Sequence, residues 1–202
     1  MKKKKSKVAQ ILLTFSDTED RKKSLNSRET IFELLKFGII PIINENDSVA
    51  VDELKFGDND RLAARVSQII EADQLILLSD VDGLFTKNPK ENKKAELILE
   101  VNDINDKIFK MASSETNLYG TGGMNTKLQA AQIASKSGCE TILVRGNKKN
   151  PIRSYLRDKK GTKFLAKKKG RNSFKNWLAG SIKINGEIFI DEGAEKAIYG
   201  GA

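Results

Sequence analysis

The chain of 202 residues is 39% hydrophobic and 31% charged, an ordinary globular composition with room for one domain and a remainder, which excludes disorder along the whole length. Its 36 Lys+Arg against 27 Asp+Glu give a net charge of +9, and it holds one cysteine, Cys139, and no histidine. That inventory excludes an internal disulfide, a Ser-His-Asp triad, a Cys-His nucleophile pair and most zinc sites, leaving chemistry to Lys, Asp, Asn, Ser, Thr and backbone N–H groups. The apolar run Phe37 to Ile43 is far below the roughly 18 residues of a membrane span. Lys2 to Lys5 lead into no signal-like apolar stretch, so no membrane association is expected and the expected location is cytoplasmic.

In chain order, Ala9 to Phe15 is an apolar run of strand length closed by Ser16-Asp17. Asn26-Ser27 offers an N-cap, Glu29 falls in the first turn, and Ile31, Leu34 and Leu35 recur at helical spacing up to Gly38. Ile39 to Ile43 is apolar on both faces, as a parallel strand covered by helices would be, and delivers the polar string Asn44-Glu45-Asn46-Asp47. Asp58 or Asn59 can cap a helix with Leu62, Ala63, Val66, Ile69 and Ile70 on one face. Gln74 to Leu78 is a further buried strand, delivering Ser79-Asp80-Val81-Asp82-Gly83. A charged connection leads to a Gly-rich loop at Gly120 to Gly123 and a helix from Asn125 to Ser137 with Leu128, Ala131 and Ala134 inward. Thr141 to Val144 is a strand, Asn150-Pro151 opens a short helix to Arg157, and Lys163 to Ala166 is a last strand. Ser181 to Gly193 reads as a β-hairpin about Asn185-Gly186, with Gly200-Gly201-Ala202 as a frayed end.

Strand and helix alternating in short units predict a parallel sheet sandwiched by helices, with ligands at the carboxyl ends of the strands. The three polar loops all fall at that edge and are expected to converge. Charge is uneven: residues 1–140 carry 21 basic and 22 acidic side chains, whereas residues 141–202 carry 15 basic and 5 acidic. The basic third reads as solvated surface, as lysine runs such as Lys167 to Lys169 usually are, or as a footprint for nucleic acid.

The Gly-rich loop, Tyr119-Gly120-Thr121-Gly122-Gly123-Met124-Asn125-Thr126-Lys127, fails the dinucleotide pattern, which needs glycine at Asn125. It also fails the P-loop pattern, since Leu128 follows the lysine. Adjacent glycines still let backbone N–H groups approach a phosphate at a helix start, and Lys127 adds charge where a helix disfavours a cation, which implies an anion to meet. The alternative is a flexible connector. In Gly57-Asp58-Asn59-Asp60 the polar side chains suit N-capping, but with Asn44, Asn46 and Asp47 they also supply carboxylates for an ammonium group and amides for a carboxylate, as an α-amino acid requires. Ser79 to Gly83 lacks the spacing of a calcium loop and reads either as a turn or as a nucleotide contact. No metal site is expected.

The strings IIPIINENDSVAVDELKFGDNDRLAA, LILLSDVDGLF and GTGGMNTKLQAAQIASKSG resemble the glutamate 5-kinases, a branch of the amino acid kinase family, over about Ala9 to Ala166. The resemblance implies a three-layer αβα sandwich with a mostly parallel sheet over residues 1–170. Residues 171–202, with Trp177 and Asp191-Glu192-Gly193-Ala194, resemble the start of a PUA-like domain. It further implies ATP-dependent phosphorylation of the L-glutamate γ-carboxylate, the first step of proline biosynthesis, with Mg²⁺ as cofactor, and a homo-oligomer when complete. Asp47 and Asn59, with Asn44 and Asp58 nearby, would bind glutamate. Ser79, Asp80 and the run Thr121, Gly122, Gly123, Met124, Asn125, Thr126 and Lys127 would hold ATP. Lys127 would neutralise charge on the transferred phosphoryl group, and Asp60 would orient catalytic lysines. Phosphoryl transfer rests on positioning and charge neutralisation, so the lack of histidine is no obstacle.

The family begins with a Lys-Leu-Gly strand that meets the phosphates and a Ser-Gly-Ala loop that helps bind glutamate, and this sequence has neither. It is therefore expected to be a truncated form, missing about the first hundred residues and most of the PUA-like domain, with little activity alone. Other readings are another amino acid kinase, of the aspartokinase or N-acetylglutamate kinase type, and a non-catalytic RNA-binding or regulatory fragment. GDND separates the first from a glutamate enzyme, and salt-dependent RNA binding would mark the second.

Overall fold

A computed structural model describes residues 6–49, 59–89, 91–112, 123–166 and 189–200. The first strand, β1 (Lys7–Leu13), stops at Thr14 because a capping box takes over there. The Thr14 hydroxyl accepts from the Asp17 N–H and the Asp17 carboxylate accepts from the Thr14 N–H, a reciprocal closure that nucleates a helix turn. Phe15, Ser16 and Asp17, expected as a strand end and turn, therefore open α1 (Phe15–Glu19). Asp20 accepts from the Lys23 N–H at 2.8 Å and starts α2 (Arg21–Lys36), earlier than the expected cap at Asn26-Ser27. Ser27, inside the helix, turns its hydroxyl back to the Lys23 carbonyl. The helix ends where predicted, with Gly38 in the left-handed region at φ +68°, a conformation glycine adopts without Cβ strain.

β2 (Ile39–Glu45) pairs in parallel with β1, Val8 opposite Ile40 and Leu12 opposite Asn44. Both faces of β2 were expected to be covered; among the described residues, the helices that contact it lie on one. Helices α2 and α3 (Asn59–Ile69) contact it on the side where Leu13 and Leu62 form a small core with Ile11, Phe15, Ile43 and Val66. The alternate residues Val8, Leu12, Ile40 and Ile42 are exposed, Ile40 and Ile42 by 52% and 54%.

β3 (Gln74–Ser79) pairs in parallel with β5 (Glu140–Arg145). β5 pairs antiparallel with β6 (Thr162–Phe164), which pairs in parallel with β4 (Glu100–Val101). The expected α/β alternation holds, but among the described residues the single parallel sheet resolves into two: β1-β2, and a mixed sheet of order β3-β5-β6-β4. After β3 the charged connection folds back on itself through the Phe85–Leu97 bridge and leads into β4, which α4 (Asp106–Ala112) follows. The signal for α4 was Asn105, whose side chain accepts from the Lys107 and Ile108 N–H groups.

α5 (Met124–Lys136) is close to its predicted span, and Leu128, Ala131 and Ala134 are fully buried as expected. With Ala64, Leu77, Leu84, Val101, Leu143 and Phe164, it forms the main core. α3 departs from the one-faced helix expected: Ala64, Arg65, Ser67 and Gln68 are buried along with Leu62 and Ile69, while Ala63, Val66 and Ile70 are half-buried. It contacts β2, β3, α1, α2 and α5, and a helix covered on several sides cannot show a clean stripe. α6 (Pro151–Asp158) follows β5. The predicted turn at Asn185-Gly186 lies outside the described residues. Glu192 and Gly193, expected to close the hairpin, open α7 (Glu192–Gly200), where Asp191 accepts from the Ala194 N–H.

Candidate functional site

Two helix starts meet at the centre of the candidate site. Asp60 lies in the first turn of α3 and Lys127 in the first turn of α5, and Lys127 Nζ is 3.0 Å from Asp60 Oδ2. The same oxygen accepts from the Thr126 hydroxyl at 3.2 Å. The two side chains are only 12% and 22% exposed, so their attraction is screened less than that of a surface pair. α5 starts at Gly123 with no side-chain cap. The anion that a cation at a helix start calls for is supplied within the fold by Asp60.

The expected glutamate residues lie at the end of β2 and the start of α3, elements that contact each other. Asn44 is exposed on the last turn of the strand, Asp47 is exposed in the turn that follows, and Asn59 is exposed at the first position of α3. The turn is fixed by the Asn46 N–H, which donates to the Leu13 carbonyl at 2.9 Å. Asp58 lies outside the described residues, and no hydrogen bond among the described residues joins Asn44 or Asp47 to Asn59.

Of the expected ATP residues, Ser79 is buried at the carboxyl end of β3 and its hydroxyl reaches Asp80, which is exposed. Gly123 and Asn125 flank Met124, whose side chain packs into the main core. Thr121 and Gly122 lie outside the described residues. The carboxyl ends of β3 and β5 are level, Ser79 opposite Arg145, and the Gly146 N–H donates to the Ser79 carbonyl.

Asp82, in the polar loop predicted after β3, meets cations that the sequence did not point to. Asp82 Oδ2 lies 3.2 Å from Arg145 Nη2 and Asp82 Oδ1 lies 3.4 Å from Lys148 Nζ. Burial pushes the Asp82 carboxyl up, but the Arg145 hydrogen bond and charge, with Lys160 and Lys148, outweigh it and hold the group below the ordinary carboxylate value. The Thr162 hydroxyl accepts from the Leu84 N–H and donates to the Ile98 carbonyl. A cleft of about 530 Å³ is lined by Thr86, Lys87, Asn88, Lys107, Lys110 and Met111, among others. Pairings such as Asp82 with Arg145, 63 residues apart, leave no local sequence signal. Among the described residues no group of three or more His, Cys, Asp or Glu side chains converges on a metal position, and no helix is long and apolar enough to cross a membrane.

Strands whose carboxyl ends carry polar loops, beside a helix-start lysine held by a carboxylate, make an α/β arrangement of the kind that places ligand sites at that edge. The chain belongs to the amino acid kinase family, whose sequence pattern matches residues 1–146. It is 47% identical over 197 residues to the glutamate 5-kinase of Pelagibacter ubique, covering 98% of this chain and 54% of that protein. It is 49% identical over 192 residues to the glutamate 5-kinase of a Thermoanaerobacter species, covering 95% of this chain and 52% of that protein. The chain thus spans about half the length of the curated relatives it matches. Among solved structures it resembles UMP kinase from Bacillus anthracis, with a TM-score of 0.53 and 16% identity, covering 81% of this chain and 59% of that one. The carbamate kinase from Giardia lamblia bound to AMP-PNP gives a TM-score of 0.51 and 17% identity, covering 70% of this chain and 45% of that one. At these identities the likeness is one of fold.

Proposed function

We propose that the chain contributes to a glutamate 5-kinase, which transfers the γ-phosphoryl group of ATP to the γ-carboxylate of L-glutamate. The γ-carboxylate oxygen forms a bond to phosphorus as the bond to the β-phosphate oxygen breaks, giving γ-glutamyl phosphate and ADP. The observation that carries this reading is the Asp60–Lys127 contact, in a chain nearly half identical to glutamate 5-kinases.

Lys127 meets the charge that develops on the transferred group, and Asp60 holds the ammonium in place until the nucleotide arrives. Asp47 takes the α-ammonium of glutamate, while Asn59 and Asn44, with Asp58, bind its remaining polar groups. Ser79, Asp80 and the run Thr121 to Lys127 hold ATP, with Lys127 toward its phosphates. Mg²⁺ takes one or two carboxylates and completes its shell with phosphate oxygens and water, so a site without a dedicated carboxylate cage fits an ion that arrives on the nucleotide. When bound, it supplies charge neutralisation across the β- and γ-phosphates. Residues 1–170 form the kinase portion in this reading, and 171–202 the start of a PUA-like segment.

The test is to titrate the purified chain with L-glutamate, L-aspartate and N-acetyl-L-glutamate in the presence of Mg-ATP, following heat of binding and ADP release. Selective binding of glutamate supports the reading. Selection of another acceptor overturns it.

A further inference from the structure

The loop that follows β3 is fastened at both ends by groups that do not depend on its middle. At its start, the Gly146 N–H donates to the Ser79 carbonyl, and an added Cβ at Gly146 would stand 3.0 Å from Leu78 Cβ, a contact tight enough that the neighbouring strand end would have to give by a few tenths of an ångström. At its end, Leu84 N–H donates to the Thr162 hydroxyl at 2.7 Å. Between them, Asp80 faces solvent and Asp82 turns inward, its side chain 18% exposed. Each oxygen of the Asp82 carboxylate takes a different cation: one meets Arg145 at the end of β5, the other Lys148 in the loop beyond it.

We propose that Asp82 is a positioning residue for nucleotide binding, clamping the Ser79–Gly83 loop to the end of β5 through Arg145 and Lys148; this rests on the reading of Ser79 and Asp80 as nucleotide contacts. Two cations on two oxygens fix both the position and the rotation of the carboxylate, which a single ion pair would not. The clamp also keeps Arg145 and Lys148 occupied. Without Asp82 the loop would lose both of these contacts to the end of β5 and the loop beyond it, and Lys148 would be left with Asp158 nearby.

The Asp82→Asn substitution keeps the size of the side chain and removes its charge. Amide hydrogen exchange at Asp80, Val81 and Asp82 is expected to quicken while exchange in β3 and β5 stays as in the parent chain. The Kd for Mg-ATP is expected to rise about tenfold, since hydrogen bonds to charged groups are the strong ones, and the Kd for glutamate to change less than twofold. The Arg145→Met substitution should give a smaller rise, because Lys148 remains. The double variant should be no weaker than Asp82→Asn alone, as expected for partners in one contact. Unchanged loop exchange in Asp82→Asn, fully additive effects, or equal losses for ATP and glutamate would each overturn the clamp. Quickened loop exchange in Asp82→Asn with an unchanged Kd for Mg-ATP would instead refute the nucleotide role of Ser79 and Asp80, and with it the purpose assigned to Asp82.

Discussion

Lys127 Nζ and Asp60 Oδ2 stand 3.0 Å apart although 67 residues separate them in sequence, and the contact joins the first turn of α5 to the first turn of α3. A lysine in a first turn opposes the helix dipole, and Asp60 offsets that cost in the absence of a phosphate. In the glutamate kinase reading, Lys127→Ala in a completed, active enzyme should lower kcat by about 10²- to 10³-fold, the effect of removing one donor aimed at developing charge. The KM for glutamate should move little. Steady-state kinetics that show an unchanged kcat would remove Lys127 from the reaction.

Asp47 lies exposed in the turn after β2 and carries the negative charge assigned to the α-ammonium. Asp47→Asn should raise the KM for glutamate by about tenfold, the scale of one charge-assisted hydrogen bond, and leave the KM for ATP unaltered. Both constants are read from the same initial-rate experiment. Equal losses for the two substrates would point to a folding defect.

α5 was legible because alanine and leucine recur at helical spacing behind a run of glycines, and its buried residues Leu128, Ala131 and Ala134 follow from that spacing alone. α1 was not, because Thr14 and Asp17 act as a reciprocal cap in a stretch whose composition equally suits a turn. The split into two sheets among the described residues was also hidden, since the continuous apolar run Ile39 to Ile43 suits a buried parallel strand in either sheet. In the site, Lys127 could be singled out by its charge at a helix start and Asp82 by its polar loop, while the role of Asp60 rested on the family resemblance. The partners Arg145 and Thr162 could not be singled out, for they come from distant segments that only the sheet order brings together.

Two buried threonines should answer the same substitution in opposite ways. Thr162 and Thr141 are both fully buried, but the Thr162 hydroxyl serves the Leu84 N–H and the Ile98 carbonyl, while Thr141 Oγ1 has no hydrogen-bond partner. Thr162→Val orphans two backbone groups and should cost about 2–3 kcal/mol, a fall in Tm of roughly 4–12 °C for a chain of this size. Thr141→Val removes an unpaired polar atom and should be neutral or stabilising. Gly83→Ala should destabilise with Thr162→Val, because its Cβ would meet Thr162 Oγ1 at 2.5 Å and Thr162 N at 3.0 Å. Thermal melts of the three variants decide the matter, and equal Tm values for the two threonine variants would contradict the assigned bonding.

Acid should weaken the fold through particular carboxylates, and the sign differs among them. Burial raises the pKa of Glu140, but hydrogen bonds from Lys163 and Gln74 outweigh it and hold the group below its ordinary value. The same balance, set by Thr14 and Lys23, lowers Asp17. A group with a depressed folded pKa binds its proton more readily when unfolded, so its stabilisation is complete above the unfolded value near 4 and is lost as pH falls through the folded one. Glu19 runs the other way: burial raises its pKa more than Arg65 and Arg61 lower it, so its contribution favours the fold at low pH and is lost as pH rises through the folded value. Denaturant midpoints recorded from pH 7 to pH 3 should therefore fall below about pH 5. Glu140→Gln should flatten that fall and Glu19→Gln should steepen it. Parallel curves for the two variants would show that these carboxylates titrate alike in the folded and unfolded chain.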